Sequence, residues 1–461
     1  MISFPGHEDA IAQVYRHGQG HLFDHWSQLN EAARRRLLAD LSTVDYAQCA
    51  AQFAAATAPG PTTAPTFDAA DYLKRPEHGG DIAHWEAARA AGLAHIRAGR
   101  LAAFVVAGGQ GSRLGFDGPK GAFKVSPVRG KSLFQLHSEK IRRYGQKYGV
   151  SIPFFVMTST ANHADTEAHF RQHDWFGLDP AAVSLFPQAM IPTLDTRGHL
   201  ILAGPDSLFR NPDGHGGSLS ALKQSGATTA MQARGIETIS YFQVDNPTVN
   251  LIDPVFVGFH QLAKAEVSSK VLVKTGSDEK VGNLVRFADG RTGVVEYSDL
   301  NPELARQTLP DGSLRFQAGS IGIHLFERQF VDRLGGSSDF GLPFHVARKK
   351  IKAWRAKGLT EIEAFKFEKF VFDALPLTER SVALEACRED EFAPVKNQEG
   401  VDSLDSSQAL MMKLHRRWLA ERGITVPATV RRLEISPLLA VEAADLPAGL
   451  TVPAQADVYL E

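Results

Sequence analysis

The sequence predicts an α/β protein with a mostly parallel central sheet, and three observations support this prediction. From Leu101 onward, short apolar runs of strand length alternate with segments of helix length, a pattern typical of a parallel sheet covered by helices. The first of these runs ends in a glycine-rich loop, at the edge where such sheets bind ligands. The chain has 461 residues, of which 43% are hydrophobic and 22% charged, so it can form a large core.

The N-terminal hundred residues are predicted to be helical. Apolar residues spaced four, three, four and four apart predict one face of a helix: Leu22, Trp26, Leu29, Ala33 and Leu37. The segment Ala55–Pro65 is rich in alanine, threonine and proline, which is typical of a linker. A second helix is expected from about Asp81 to Ala98.

The α/β region follows this linker and the second helix. Its predicted strands are Leu101–Ala107, Pro153–Thr158, Val183–Phe186, Ile239–Val244, Lys270–Lys274, Gly293–Tyr297 and Ile321–Phe326. Helices are predicted at Leu133–Tyr148 and Pro254–Ala265. A helix at Ser407–Arg422 and short strands at Thr429–Ile435 and Leu450–Leu460 indicate a separate tail. We therefore expect a helical region (1–98), a central domain (99–385) and a small C-terminal domain (386–461).

Composition excludes several classes of function. Lys and Arg number 50 against 52 Asp and Glu, so no basic surplus favours a nucleic-acid or membrane partner. The basic run Arg348–Lys352 is expected to be a solvated helix end. Only two cysteines, Cys49 and Cys387, are present, which favours a reducing compartment. With no signal peptide and no apolar run of about 18–20 residues, we expect a cytoplasmic protein.

The glycine loop after the first strand is typical of a phosphate-binding site. Gly108, Gly109 and Gly111 allow backbone amides to approach an anion. Two known motifs fail here. The dinucleotide fingerprint requires a glycine three residues after Gly111, and the next glycine is Gly115. The Walker P-loop pattern that ends at Gly130-Lys131-Ser132 has Val125 in place of its first glycine.

Charged side chains near this loop suggest the ligand. Arg113 and Lys120 suit a polyphosphate, although an ordinary turn with surface cations remains the alternative. Asp245 directly follows an apolar strand, where it can bind Mg²⁺ or cap a helix. His169 and His173 could share a helix face, but no third metal ligand is evident.

The loop AGGQGSRLG, followed by PKG, resembles the signature of the eukaryotic-type UDP-sugar pyrophosphorylases, most closely the UDP-N-acetylhexosamine group. The resemblance continues in order through further blocks: Phe186–Pro192, Pro212–Gly217, Val244–Asn246, Val295–Ser298, Phe367–Asp373 and Phe392–Asn397. It implies a Rossmann-like nucleotidyltransferase domain with N- and C-terminal additions. It also implies Mg²⁺-dependent conversion of UTP and a sugar 1-phosphate to a UDP-sugar and pyrophosphate.

The resemblance also implies roles for individual residues. The implied catalytic cations are Arg113, Lys120 and Lys396. The implied nucleotide-binding residues are Gly108, Gly109, Gly111, Gln188, Gly214 and Lys366. The implied sugar-binding residues are His215, Gly282, Glu296, Tyr297 and Ile323, and Asp245 is the implied metal ligand. Each also has an ordinary alternative, such as a surface lysine, a turn glycine or a buried glutamine bonded to backbone.

Three departures from the family pattern leave the sugar open. The N-acetylhexosamine members carry Asn where this chain has His215, and Ser320 and Ile323 also replace Asn. We expect N-acetylglucosamine 1-phosphate to be accepted with weak discrimination against glucose 1-phosphate. A nicotinamide-dependent dehydrogenase would need an acidic residue about 20 residues after the loop, and Pro127–Ser132 contains none. A non-catalytic sugar-nucleotide sensor is the remaining alternative, and the presence of Arg113, Lys120 and Asp245 favours an enzyme.

Overall fold

The computed structural model describes residues 2–58, 66–335, 342–355 and 358–461. The chain divides into two compact units. The first unit comprises Met1–Ala64, Ala189–Gly217 and Leu342–Val371. The second unit comprises Pro65–Gln188, Ser218–Gly341 and Phe372–Glu461. The three-part domain division expected from the sequence stays a prediction.

The first unit combines helices with three small antiparallel sheets. Its helices are Glu8–Arg16, Glu31–Ser42 and Tyr46–Thr57. The largest sheet contains His345–Arg355, Gly358–Glu368 and Leu194–Asp195, and the smaller ones pair Met190–Pro192 with Arg210–Pro212 and Leu202–Gly204 with Ser207–Leu208. Leu37, Leu194 and Phe365 are buried in a shared core, which holds the helices against the largest sheet.

The predicted N-terminal helix is wrong in its extent. Leu22 and Trp26 lie in separate short 3₁₀ turns, Gly20–Phe23 and Trp26–Gln28. The α-helix begins only after Asn30, whose side chain accepts a hydrogen bond from the Ala33 amide at 2.9 Å. This N-cap starts a new helix, although residues from all three segments contribute to the same core.

Two further sequence expectations about the first unit need correction. The predicted linker Ala55–Pro65 overlaps the end of the helix Tyr46–Thr57, and its residues 59–65 lie outside the described residues. The basic run Arg348–Lys352 belongs to the strand His345–Arg355 rather than to a helix end. Opposite charges face each other across that strand pair, with Lys350 opposite Glu363, and such cross-strand pairs stabilise a sheet.

The second unit contains the expected mixed α/β sheet, with ten strands. Four neighbouring strands are parallel: Thr238–Gln243, Leu101–Val106, Phe154–Thr158 and Val183–Pro187. Ala318–Glu327 joins this block antiparallel to Thr238–Gln243. The remaining strands are Val267–Val273, Gly282–Phe287, Thr292–Val295, Phe67–Ala69 and Ser381–Glu385. Each predicted strand of the central region overlaps an observed strand.

Helices accompany the sheet in the second unit. They are Ile82–Arg97, Leu133–Tyr148, His163–Gln172, Gly217–Gln224, Ala227–Ala233, Pro254–Leu262, Pro302–Ala305, Arg328–Leu334, Arg388–Glu391 and Leu404–Glu421. The bounds predicted for Leu133–Tyr148 are confirmed, because Ser132 caps the helix and Gly149 ends it with a φ of 70°. No helix among the described residues is long and apolar enough to cross a membrane.

The tail forms its own small core within the second unit. The strands Arg432–Ile435 and Asp457–Leu460 pair in parallel, and Leu433 and Val458 pack with the helix residue Leu419. The predicted strands Thr429–Ile435 and Leu450–Leu460 each overlap one of these strands.

The parallel block determines where the functional loops lie. The carboxyl ends of neighbouring parallel strands meet at one edge of a sheet. Leu101–Val106 leads to Gly108, Val183–Pro187 leads to Gln188, and Thr238–Gln243 leads to Asp245. Candidate ligand-binding residues that are distant in sequence therefore share this edge.

Candidate active site

Gly108 and Gln188 lie in direct contact. A Cβ atom on Gly108 would be 2.9 Å from Nε2 of Gln188 and 3.4 Å from the carbonyl oxygen of Thr158. Gln188 is 7% exposed, and its backbone N–H donates to the Thr158 carbonyl at 2.8 Å. The absence of a side chain at Gly108 thus allows an amide group, with a donor and an acceptor together, to lie beside the glycine loop.

The other two loop glycines have different surroundings. A Cβ on Gly109 would meet no atom within 4 Å, and the Gly109 carbonyl accepts from the Lys120 amide at 3.1 Å. The Gly111 amide donates to the Gly118 carbonyl at 2.9 Å, and a Cβ there would be 2.6 Å from Cδ1 of Phe116. In this structure the Gly111 amide is thus engaged within the loop, and its role as a phosphate donor stays a prediction.

Lys120 and Asp245 form an ion pair at this sheet edge. Their Nζ and Oδ2 atoms are 3.1 Å apart, and the side chains are only 17% and 10% exposed. Asp245 caps no helix, because the next helix, Pro254–Leu262, is capped by Asp253. The helix-cap alternative is therefore wrong. Arg113 lies exposed in the turn Ser112–Leu114 of the same loop.

The donor set around Asp245 fits Mg²⁺. This ion usually binds one or two protein carboxylates together with phosphate oxygens and water. Burial raises the pKa of Asp402, and the negative charge of Asp245 contributes to that rise, so a second carboxylate lies within electrostatic range. Across residues 2–58, 66–335, 342–355 and 358–461, no group of three or more His, Cys, Asp or Glu side chains could hold a metal. The arrangement therefore suits a cation that arrives with phosphates.

Lys396 is held close to Asp245 through the backbone. The Val395 amide donates to the Asp245 carbonyl at 2.9 Å. The amides of Lys396 and Asn397 both donate to the Asp402 carbonyl, at 2.6 and 3.0 Å. The Lys396 ammonium is 3.8 Å from the Asp402 carboxylate and 41% exposed. A partly exposed cation thus follows directly after the residue that bonds the Asp245 backbone.

The structure brings together two of the predicted sugar-binding residues, Gly282 and Glu296. A Cβ on Gly282 would be 3.4 Å from Oε1 of Glu296 and 2.5 Å from Cγ1 of Val294. Tyr297 follows and is 47% exposed. The residue paired with Gly282 on the neighbouring strand is Ser320. Of the three predicted departures from the family pattern, at His215, Ser320 and Ile323, Ser320 is therefore the one paired with Gly282.

Ile323 has a different environment from the other predicted sugar-binding residues. Its side chain is 3% exposed and belongs to the main apolar core of the second unit. It contributes packing to the strand Ala318–Glu327, and nothing in its surroundings provides a polar sugar contact.

The remaining predicted residues belong to the first unit. Gly214 has a φ of +82°, and a Cβ there would be 2.6 Å from the Lys369 carbonyl oxygen. The His215 ring stacks on Phe370, and its Nδ1 accepts from the Val371 amide at 3.1 Å. Lys366 forms an ion pair with Glu368 on the same strand. Gly214 and His215 thus form one packed turn, whereas Lys366 is partly exposed.

Several polar groups of the second unit lie beside the glycine loop and Gly282 without belonging to any predicted site. Asn162 donates to the carbonyls of Ala107 and Gly109 at 3.0 and 3.2 Å, and so shapes the glycine loop. Lys274 is buried and donates to Oδ1 of Asn283 at 2.7 Å, and burial lowers the pKa of this lysine. Asn283 in turn donates to the Val295 carbonyl. Their sequence signals were weak: Asn162 and Lys274 lie at or just after the ends of predicted strands, and Asn283 is adjacent to Gly282.

The two histidines considered as metal ligands are engaged elsewhere. His169 is within hydrogen-bond distance of Ser132 Oγ at 3.2 Å, and burial lowers its pKa to about 4. His173 Nδ1 is 2.8 Å from the His169 carbonyl oxygen. Both rings pack against Phe176, so the ordinary structural interpretation accounts for them.

Comparison with known proteins agrees with this geometry. The family model described as UTP--glucose-1-phosphate uridylyltransferase matches residues 81–444. UDP-N-acetylhexosamine pyrophosphorylase-like protein 1 of Mus musculus is 37% identical over 90% of this chain and 86% of its own length. UDP-N-acetylglucosamine diphosphorylase 2 of Arabidopsis thaliana is 31% identical over 98% and 94%.

Solved structures show the same similarity. The uridine diphosphate N-acetylglucosamine pyrophosphorylase of Trypanosoma brucei, solved with an inhibitor, superposes with a TM-score of 0.80 at 27% identity. The match covers 96% of this chain and 95% of that one. Taken with the glycine loop and the Lys120–Asp245 pair, these matches establish that the chain belongs to the UTP--glucose-1-phosphate uridylyltransferase family.

Proposed function

We propose that this protein is a uridylyltransferase that converts UTP and N-acetylglucosamine 1-phosphate to UDP-N-acetylglucosamine and pyrophosphate. The observation that carries the proposal is one sheet edge in the second unit. There the glycine loop, the Gln188 amide and the Lys120–Asp245 pair lie at the ends of neighbouring strands. The printed names of the relatives support the substrate class.

The reaction needs charge neutralisation more than acid–base chemistry. The sugar phosphate oxygen is already an anion when it attacks the α-phosphorus of UTP, and pyrophosphate leaves from the opposite side. Catalysis then consists of holding anions in line and balancing their charge. Arg113 would stabilise the departing pyrophosphate, Lys120 would balance the α-phosphate, and Lys396 would hold the sugar phosphate.

Mg²⁺ is part of the proposal, with Asp245 as its protein ligand. When bound with UTP, the ion supplies positive charge to the phosphate oxygens. Asp245 would orient it, and Lys120 Nζ, 3.1 Å from Asp245 Oδ2, would hold this carboxylate toward the loop. Gln188 would bind the uracil edge beside Gly108.

The alternative sugar is glucose 1-phosphate. This sugar is favoured by the sequence Gly214-His215-Gly216 and by Ser320 and Ile323, which stand where the family pattern has asparagine. Ser320, opposite Gly282, offers a short hydroxyl where an amide is the family's pattern. We therefore expect packing to set much of the discrimination, in a range of roughly 10–200-fold rather than 10⁴-fold.

A pyrophosphate-release assay tests the proposal. UTP and ATP are each combined with N-acetylglucosamine 1-phosphate or glucose 1-phosphate, with Mg²⁺ or with EDTA. We expect release with UTP and Mg²⁺ and little release with ATP, because a purine needs more room than a pyrimidine beside Gln188. Equal rates with ATP would refute the nucleotide assignment, undiminished rates in EDTA would refute the metal assignment, and no release would refute the activity.

A reducing compartment is also part of the proposal. Cys49 and Cys387 are both free in the structure, and burial raises the pKa of the Cys49 thiol to about 11, which makes it a poor nucleophile. We propose that the protein acts in the cytoplasm, with UTP and the sugar phosphate as its partners.

A further inference from the structure

Asn246, the residue after Asp245, uses both atoms of its side-chain amide to hold a distant segment. Its Nδ2 donates to the Glu391 carbonyl at 2.6 Å, and its Oδ1 accepts from the Ala393 amide at 3.1 Å. The hydroxyl of Thr248 also donates to Oδ1, at 3.2 Å. Asn246 is 6% exposed, so these bonds form with little competition from water. It therefore ties the Asp245 turn to residues 391–393.

A second connection runs beside the first. The Val395 amide donates to the Asp245 carbonyl at 2.9 Å, and Lys396 follows at once. Residues 391–396, here called the tethered segment, are therefore bonded at three points to two consecutive residues, Asp245 and Asn246. The cation of this segment is placed relative to Asp245 by backbone geometry and not only by its own flexible side chain.

The start of the tethered segment is anchored in the protein interior. The Lys270 side chain is 0% exposed and pairs with Asp253 at 2.7 Å and with the carboxylate of Glu391. Asp253 also caps the helix Pro254–Leu262. Because Glu391 cannot move without breaking this buried pairing, the bond from Asn246 is made to a fixed point.

We propose that Asn246 is a positioning residue that sets the separation between Asp245 and Lys396. This inference rests on the proposed uridylyl transfer, in which those two side chains act on the same phosphates. Asn246 holds no ligand itself, because both of its amide atoms are engaged by the protein. Loss of the tether would let the two charges drift apart, and a displacement of about 1 Å costs about 10²-fold in rate.

The test compares Asn246→Ala with Asn250→Ala. Asn250 is the same residue type four positions later, and its Oδ1 accepts from the Tyr144 hydroxyl of the helix Leu133–Tyr148 at 2.7 Å. We expect Asn246→Ala to lower kcat by about 10²-fold and to raise the Mg²⁺ concentration for half-maximal rate. Amide hydrogen exchange at Ala393 and Val395 should accelerate. Asn250→Ala also removes a hydrogen bond close to Asp245 in sequence, but it should change none of these three quantities.

Each outcome decides the proposal. Unchanged exchange in the tethered segment, or a kcat and Mg²⁺ dependence equal to those of Asn250→Ala, would overturn it. If Asn246→Ala does not fold, Asn246→Ser keeps a small polar side chain that is too short to bond both Glu391 and Ala393, and the same three shifts are expected. A wild-type protein that releases no pyrophosphate overturns the proposed function, whereas the exchange measurement still reveals whether Asn246 holds the segment.

Discussion

Replacing Gly108 by alanine should impair recognition of the base without disturbing the backbone. The new Cβ would lie 2.9 Å from Nε2 of Gln188, whereas ordinary contacts begin at 3.4 Å. The Gln188 amide must therefore retreat by about 0.5 Å from its buried position. The φ of Gly108 is not in the left-handed region, so alanine brings no backbone strain.

The size of the effect follows from this displacement. A misplacement of about 1 Å costs about 10²-fold, so half that distance predicts a loss of about 10-fold in kcat/KM for UTP. Because the moved group is the one assigned to uracil, the preference for UTP over CTP should fall by a similar factor. Steady-state pyrophosphate release with the two nucleotides measures both quantities.

Gly109→Ala is the matched comparison. Its Cβ would meet no protein atom within 4 Å, so any loss of activity there arises from contact with the bound phosphates. We expect its ratio of UTP to CTP activity to stay at the wild-type value. If Gly108→Ala keeps the wild-type ratio, or if both variants lose it equally, the assignment of Gln188 to the base is refuted.

Three further predictions use the same assay or simple unfolding measurements. Lys120→Ala should lower kcat by about 10²–10³-fold. Lys124→Ala, which replaces an exposed lysine four residues later, should leave kcat unchanged. Equal losses in the two variants would contradict the role of Lys120 in balancing phosphate charge. Ser320→Asn should raise the preference for N-acetylglucosamine 1-phosphate over glucose 1-phosphate. Ile323→Asn should mainly lower the free energy of unfolding, by about 3 kcal/mol. The reverse pattern would refute the assignment of Ser320 to the sugar side and of Ile323 to the core. Burial holds the pKa of four histidines at about 3 or 4, below the usual 6.5, so these side chains take up protons when the protein unfolds below pH 6.5. The free energy of unfolding should therefore fall as the pH drops from 6.5 toward 4. A free energy of unfolding, measured with urea, that stays constant between pH 7.5 and 5.5 would contradict this. These histidines are His137, His169, His260 and His415.

Local sequence signals predicted the elements whose stability is local. Leu133–Tyr148 has its own cap at Ser132 and its own stop at Gly149, so its bounds could be read directly. The basic run Arg348–Lys352 has no such signal, because its conformation depends on the acidic strand Gly358–Glu368 that pairs with it. Charge patterning alone could not distinguish a strand from a helix there.

The site could be predicted only to the level of the sheet edge. Parallel strands bring their carboxyl ends together, so Gly108, Gln188 and Asp245 could be expected to share an edge from strand assignments alone. What the Gly111 amide contacts could not be predicted, because its acceptor is a carbonyl of the same folded loop. The partners of Asn246 lie 145 and 147 residues away, beyond any local pattern.

The sugar site shows most clearly why register matters more than motif. Ser320 and Ile323 both replace family asparagines, and the sequence alone offers no reason to distinguish the two positions. They are three residues apart on one strand, but the pairing with Val267–Val273 shifts between Ser320 and His324, and Gly322 between them has a φ of +69°. Simple alternation of side chains therefore does not place them, and their contacts do. Ser320 pairs with Gly282, whose missing side chain leaves room for Glu296, whereas Ile323 enters the core. A substitution at Ser320 is thus expected to act at the proposed sugar surface beside Gly282 and Glu296, and one at Ile323 is expected to act on packing.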